Sequence, residues 1–272
     1  ELAASGGKDS VLLLWDARGG EPLHRLQLSR NPCDLVFGVG ECAPALLVAM
    51  DSPDQLPRAD GAIELYSVER GTPLLHLHCA ASGHVSCVHV SGSGARAYSG
   101  AADGQLRAHC TRTGALTLRY ATGMDDVNVA SLSCDGTYVV AAGDRDLAMV
   151  LDVRRFDRPV HVLQHDSPAS VQSVHVNGVS AAWCHHSRST LATGSDDGLV
   201  RVWDVALGSP MLTCLQGHSA PVSCIAFSDE DDVLASGGDE GKVTLYSRAS
   251  TAAASFYSVG AEQDHFLNVA VG

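Results

Sequence analysis

Residues 191–204 read LATGSDDGLVRVWD. An apolar run closing on Gly194, the turn residues Asp196, Asp197 and Gly198, and a second run alternating Val200 and Val202 with Arg201 and Trp203 predict two short strands around a tight turn. Asp and Gly accept the backbone that a hairpin turn needs, and β-branched and aromatic side chains suit a pleated, half-buried surface. Residues 2–16, LAASGGKDSVLLLWD, repeat the pattern, and residues 234–246, LASGGDEGKVTLY, are a third copy. Weaker copies lie between them: AYSGAADG at 97–104 leading to Leu106, VVAAGD at 139–144 leading to Leu151 and Asp152, and DGAIELY at 60–66.

The position of the tryptophan in the strong copies serves as a marker. It falls at 15, 66, 109, 151, 203 and 246, with intervals of 51, 43, 42, 52 and 43 residues. A period of roughly 40–45 residues fits one four-stranded antiparallel blade of a β-propeller. The two longer intervals imply insertions, one of them the loop 51–60 with its two prolines. Blades are expected at Pro32–Cys79, Val85–Ala121, Asp126–Gln164, Val179–Gln216 and Pro221–Tyr257, after a first blade that supplies only its second to fourth strands.

Through Trp15-Asp16, Trp203-Asp204, Gly217-His218 and the turns carrying Asp9, Asp103 and Asp197, the chain resembles the WD-repeat β-propeller family over essentially its whole length. The resemblance implies an all-β fold of about six recognisable blades in a single propeller domain spanning 1–272. Residues 266–271, FLNVAV, read as a first strand. Either this tail closes onto Leu2–Gly6 in a six-blade ring, or a seven-blade ring has been cut at both ends. The second is favoured, because the family most often closes with seven and the chain starts mid-unit at Glu1 without a methionine.

Bulk composition narrows the function. With 45% hydrophobic and 18% charged residues in 272, the chain can build a large core. A net charge of −13 repels phosphate backbones and anionic membranes, so nucleic acid and membrane are not expected partners and basic proteins are. Lys8, Arg18, Arg25 and Arg30 are the material for a local basic patch. Nine cysteines, an odd number without a Cys-x-x-Cys pair, read as reduced residues of an intracellular protein, and no apolar run reaches the roughly 20 residues that span a bilayer.

One set of residues resembles a catalytic triad: His175, Thr193 and Asp197, with Trp203. The family resemblance implies a structural role instead. The turn Asp bonds a His from the preceding loop, the His bonds the Ser or Thr of the second strand, and the Trp N–H completes the network, which satisfies polar groups inside the blade. Blade six offers His218, Ser236, Glu240 and Tyr246, and blade one Ser5, Asp9 and Trp15. Blade three has Ser99 and Asp103 with His109 in the Trp position, and blade four, with Ala141, Arg145 and Leu151, has lost the network. No catalytic residue or cofactor is expected. His76, His78, Cys79, His84, Cys87, His89, His109 and Cys110 are metal-ligating types, but their spacing matches no zinc motif and no metal site is expected. The glycines of 91–94, SGSG, precede no helix and read as a strand-to-strand turn rather than a phosphate loop.

The function expected is that of a protein-interaction scaffold docking partners on its rims. Two surfaces stand out. Trp15-Asp16-Ala17-Arg18 matches the Trp-Asp-x-Arg box of WD-repeat substrate receptors for cullin-RING ubiquitin ligases, with Leu151-Asp152-Val153-Arg154 a partial second copy. The resemblance implies that Arg18 engages a ligase adaptor. The turns between second and third strands carry Asp144, Asp196 and Asp239, and the inter-blade links carry Asp125, Asp126 and Asp166. Without assigned internal partners, these carboxylates would focus negative potential and attract a basic peptide or tail.

Overall fold

A computed structural model describes residues 2–51, 60–165, 178–248 and 256–259. The strands are β1 (Leu2–Gly6), β2 (Val11–Asp16), β3 (Pro22–Gln27), β4 (Pro32–Phe37), β5 (Ala45–Met50), β6 (Asp60–Ser67), β7 (Thr72–Ser82), β8 (Val85–Val90), β9 (Arg96–Ala101), β10 (Gln105–Cys110), β11 (Leu116–Ala121) and β12 (Val127–Leu132). They continue with β13 (Tyr138–Gly143), β14 (Leu147–Asp152), β15 (Arg155–Gln164), β16 (Ser180–Trp183), β17 (Thr190–Gly194), β18 (Leu199–Asp204), β19 (Met211–Gln216), β20 (Val222–Phe227), β21 (Val233–Gly238), β22 (Val243–Arg248) and β23 (Phe256–Val259). Each sheet is a plain meander. The first holds β1-β2-β3, and four-stranded sheets follow as β4 to β7, β8 to β11, β12 to β15, β16 to β19 and β20 to β23. The expected all-β organisation in about six blades is what the sheets show. The tail 266–271 lies outside the described residues, and among these no helix is long and apolar enough to cross a membrane.

The repeat is confirmed by a defect that recurs at one place. In five sheets the pairing of third with fourth strand slips at the marker residue: between Leu14 and Trp15, Leu65 and Tyr66, Ala108 and His109, Val150 and Leu151, and Val202 and Trp203. The extra residue sits on the outer strand, at Leu23, Leu74, Thr117, Val160 and Leu212. A bulge leaves its extra residue unpaired and bends the strand. This accounts for the exposure of Leu23, Leu74, Val160 and Leu212 without a covering partner.

The chain divides into two compact units, Glu1–Leu132 and Ser133–Gly272. In the first, Leu12 and Leu14 pack with Leu46, Val48, Met50 and Tyr66, while the other face of the second sheet, through Leu47, Ala49 and Ile63, packs on Val85, Val88 and Ala97. β5 is buried along its whole length, as its apolar sequence requires when both faces of a sheet are covered. The turn 91–94 ends at Gly94, whose φ is +77° and whose missing Cβ would lie 1.8 Å from the Val39 carbonyl oxygen. Only glycine fits there. In the second unit, Ala192, Val200, Val202 and Leu215 pack against Val222, Phe227, Leu234 and Tyr246. The outer strands β11 and β19 keep one face toward solvent.

Candidate functional site

The polar network of the fifth blade is present with two differences from expectation. Trp203 Nε1 donates to Thr193 Oγ1 at 2.7 Å, and Thr193 Oγ1 lies 3.0 Å from His165 Nε2. The histidine is therefore His165, at the end of β15. His175, assigned by counting back from Val179, lies outside the described residues. The long repeat interval places its extra residues between His165 and β16, so alignment on the following strand steps into the insertion. Secondly, Asp197 does not reach the histidine itself. Arg201 lies between them, its Nη2 donating to Asp197 Oδ2 at 2.7 Å and its Nη1 lying 2.8 Å from His165 Nδ1.

The protonation pattern follows from these partners. Arginine has no acceptor, so Nδ1 of His165 must accept and Nε2 carries the proton given to Thr193. Burial, reinforced by the Arg201 charge, pushes His165 down to about 4, and the ring is neutral at pH 7. Asp197 also caps its own turn, accepting the Leu199 N–H at 2.9 Å. Thr193, with no exposure, is out of a substrate's reach. One cavity, of about 450 Å³ and lined in part by Glu41, Pro44, Glu69, Arg70 and Arg112, includes none of these residues.

The other blades keep parts of this arrangement. In blade three Ser99 Oγ lies 3.0 Å from His109 Nε2, Asp103 pairs with Arg107, and the Cys79 thiol, 3.9 Å from Ser99 Oγ, takes the place of the histidine. In blade six His218 bridges Ser236 at 2.6 Å and Glu240 at 2.7 Å. The buried Tyr246 hydroxyl makes no hydrogen bond of good geometry there. In blade one Trp15 Nε1 donates to Ser5 Oγ at 3.0 Å, while Asp9 accepts the Val11 N–H at 3.1 Å and closes its own turn. Sequence reasoning missed the arginine, although the spacing Asp103 to Arg107 repeats in Asp197 to Arg201.

The acidic rim needs correction. Asp126 was expected to lack an internal partner, but it accepts from Ser86 Oγ at 2.7 Å and pairs with His84 at 3.1 Å. Burial alone would raise its carboxyl, and the His84 and Ser86 hydrogen bonds more than offset this, holding it below the usual range. Asp239 accepts from Ser223 Oγ, and Asp125 and Asp144 are likewise engaged. Asp166 lies outside the described residues. Asp196 differs from these. It is buried, and its Oδ1 has no partner. The carboxylates that act on it are Asp146, Asp239 and Asp197, so Asp146 rather than Asp144 is the fourth blade's contribution.

At the Trp-Asp-x-Arg box, Arg18 is exposed and its own N–H bonds Asp16 Oδ1 at 3.0 Å. Asp152 holds the Arg154 N–H at 2.8 Å and Asp204 the Ala206 N–H at 3.0 Å in the same way. The aspartate thus forms a local turn whether or not arginine follows.

Recurrent four-stranded meanders with a shared bulge and a shared turn network define a repeat protein of propeller type. The WD domain, G-beta repeat model matches residues 71–109, 158–204 and 208–247, and the chain belongs to the WD40 β-propeller family. It is 27% identical over 143 residues to Rik1-associated factor 1 of Schizosaccharomyces pombe, covering 50% of this chain and 22% of that protein. It is 25% identical over 245 residues to autophagy-related protein 16 of Arabidopsis thaliana, covering 86% and 43%. The chain thus spans less than half the length of these relatives. Among solved structures, the one titled "Structure of Dos1 propeller" superposes with a TM-score of 0.75 at 21% identity, over 91% of this chain and 64% of that one.

Proposed function

We propose that residues 1–272 form one non-catalytic scaffold domain of an intracellular protein, and that its second unit docks a basic segment of a partner on the turns around Asp196. The observation that carries this reading is the convergence of Asp146, Asp196 and Asp239 from three successive strand turns, with one buried carboxylate oxygen left unsatisfied. The polar sets that resemble catalytic residues are spent on holding turns to strands. A rigid β surface loses little entropy when a partner docks, and a focused negative potential favours Lys- and Arg-rich segments. Among the described residues no cysteine forms a disulfide, in keeping with a reducing compartment. The relatives' names, among them a factor associated with Rik1, support membership of multiprotein assemblies. The test is capture of a polybasic peptide by the purified chain at low and high salt. Binding should weaken with salt, and the triple variant Asp146→Asn, Asp196→Asn, Asp239→Asn should bind more weakly and with a flatter salt dependence. Capture equal to wild type at both salt levels would overturn the assignment.

A further inference from the structure

The cavity of about 450 Å³ in the first unit is framed by loops of two neighbouring sheets. The segment that leads into β5, the turn between β6 and β7, and Leu74 at the bulge of β7 come from one sheet, and the turn after β10, with Thr111 and Arg112, comes from the next. Clefts that hold ligands measure roughly 300–1,000 Å³. The buried residues Cys42, Ala45 and Leu65 form the apolar part of the lining with Pro44 and Leu74. Burial holds the Cys42 thiol above its usual value, so it stays protonated and adds to the apolar surface.

The walls are tied together before anything binds. Across the two sheets, the Glu41 N–H donates to the Ser93 carbonyl at 2.8 Å and the His78 N–H to the Gly114 carbonyl at 2.9 Å. Within each sheet, the Arg70 N–H donates to Ser67 Oγ at 3.2 Å and Thr111 Oγ1 to the Gly94 carbonyl at 2.6 Å. A cleft built in advance loses little entropy when it is filled.

Four charged side chains line the cleft, Glu41, Glu69, Arg70 and Arg112, and all four residues are exposed. Among the described residues none of these side chains makes a hydrogen bond or an ion pair, with one another or with the rest. Exposed charges scattered on an open surface contribute little. Around an apolar cleft they discriminate between occupants. A wholly acidic occupant meets two glutamates, and a wholly basic one meets two arginines. A segment with both signs can set each of its charges against an opposite one.

We propose that this cleft docks an extended segment of a partner protein that carries one apolar side chain between an acidic and a basic residue. The apolar side chain covers Leu65 and Leu74, the acidic residue faces the arginines, and the basic residue faces the glutamates. The site lies in the first unit, so it is independent of docking around Asp196 in the second.

The test is an NMR titration of the purified chain, following the backbone amides of Glu41–Ala43, Ser67–Arg70 and Thr111–Thr113. The probes are tripeptides acetylated at the N-terminus and amidated at the C-terminus. Two are mixed, glutamyl-leucyl-lysine and lysyl-leucyl-glutamate, and two are like-charged, glutamyl-leucyl-glutamate and lysyl-leucyl-lysine. The fifth, glutamyl-seryl-lysine, lacks the apolar side chain. At least one mixed leucine peptide should give saturable shifts at these amides, with an affinity about fivefold above that of either like-charged peptide and about tenfold above that of the serine peptide. In the double variant Arg70→Glu, Arg112→Glu the charged lining is wholly acidic, and lysyl-leucyl-lysine should become the tightest ligand at the same amides. Both residues are exposed, so the exchange leaves the fold intact. Like-charged or serine peptides that bind wild type as well as the mixed leucine peptides, or a double variant with unchanged preference, overturn the proposal. Absence of shifts at these amides also overturns it and leaves the second-unit reading standing, because a basic peptide bound there moves the amides of Asp196 and Asp239 instead.

Discussion

Replacing Asp196 with asparagine should stabilise the protein at neutral pH, by an amount that follows from the position of this one carboxyl. The group is moved from its ordinary 3.8 to about 6, first by burial and then by Asp146, Asp239 and Asp197. The folded state therefore holds a proton that the unfolded chain has released between these values, and stability falls as pH rises through them. The contribution is fully present below about 4 and lost above about 6. At 1.36 kcal/mol per pH unit this is roughly 3 kcal/mol if fully expressed. Solvent at the rim screens the repulsion, so about 1 kcal/mol is the expected gain. Asparagine keeps the shape, removes the charge and offers two donors to the neighbouring carboxylates. In a chain of this size the melting temperature should rise by about 2–4 °C at pH 7.5, with the gap closing by pH 4.5. A variant that melts lower than wild type at pH 7.5, or a gap that does not depend on pH, would refute the reasoning.

Asp197→Ala should act in the opposite direction, because it strands Arg201 and the Leu199 N–H inside the blade. A loss of about 3 kcal/mol is expected in urea denaturation, and a loss under 1 kcal/mol would show that the network is not the staple of this blade. His84→Gln tests the rim pair of the first unit. Asp126 holds His84 above its usual value against the effect of burial. The pair's stabilisation is therefore complete below about 6.5 and fades as pH rises past the raised value. The variant should melt below wild type at pH 6 and match it at pH 9, and a constant gap would count against the pairing. Arg18→Ala should leave the melting temperature unchanged and, if the exposed arginine engages a cullin adaptor, abolish co-purification of that adaptor from cells. Equal recovery with both forms removes the ligase reading.

The blade pattern was legible because it is local. Each hairpin carries its own turn residues and alternating runs, and the expected spans from Val85 to Ala121 and from Val179 to Gln216 lie within a residue of the observed strands. The network was legible only where it is local too. Thr193 and Trp203 face each other across one hairpin, ten residues apart, whereas His165 arrives from another blade past an inserted segment of arbitrary length. Arg201 was hidden for a different reason. An arginine between two valines reads as a solvent-facing strand residue, yet here both faces of the strand are covered and the guanidinium turns along it to Asp197. Asp146 escaped notice because its turn lacks the Asp-Gly pair. Arg145 and Asp146 adopt left-handed φ values of 62° and 53° themselves, which glycine or asparagine would signal in sequence.

Asp196 and Asp197 show how one turn separates folding from recognition. Both are acidic and both lie on the same tight turn, yet their free-energy contributions have opposite signs. Asp197 has a guanidinium at 2.7 Å and a backbone N–H at 2.9 Å, so its charge is compensated within the blade. Asp196, one residue earlier in a strand-to-strand turn, faces the neighbouring turns instead, and what it meets there is Asp146 and Asp239. Nothing in a single hairpin corrects this, because the opposing charges belong to other repeats. The turn of blade five therefore carries two carboxylates of different kinds at adjacent positions. One is matched inside its own blade and fixes the strands, and the other is left unmatched where successive turns meet. The unmatched one costs the folded state stability at neutral pH, where burial and the neighbouring carboxylates oppose its charge.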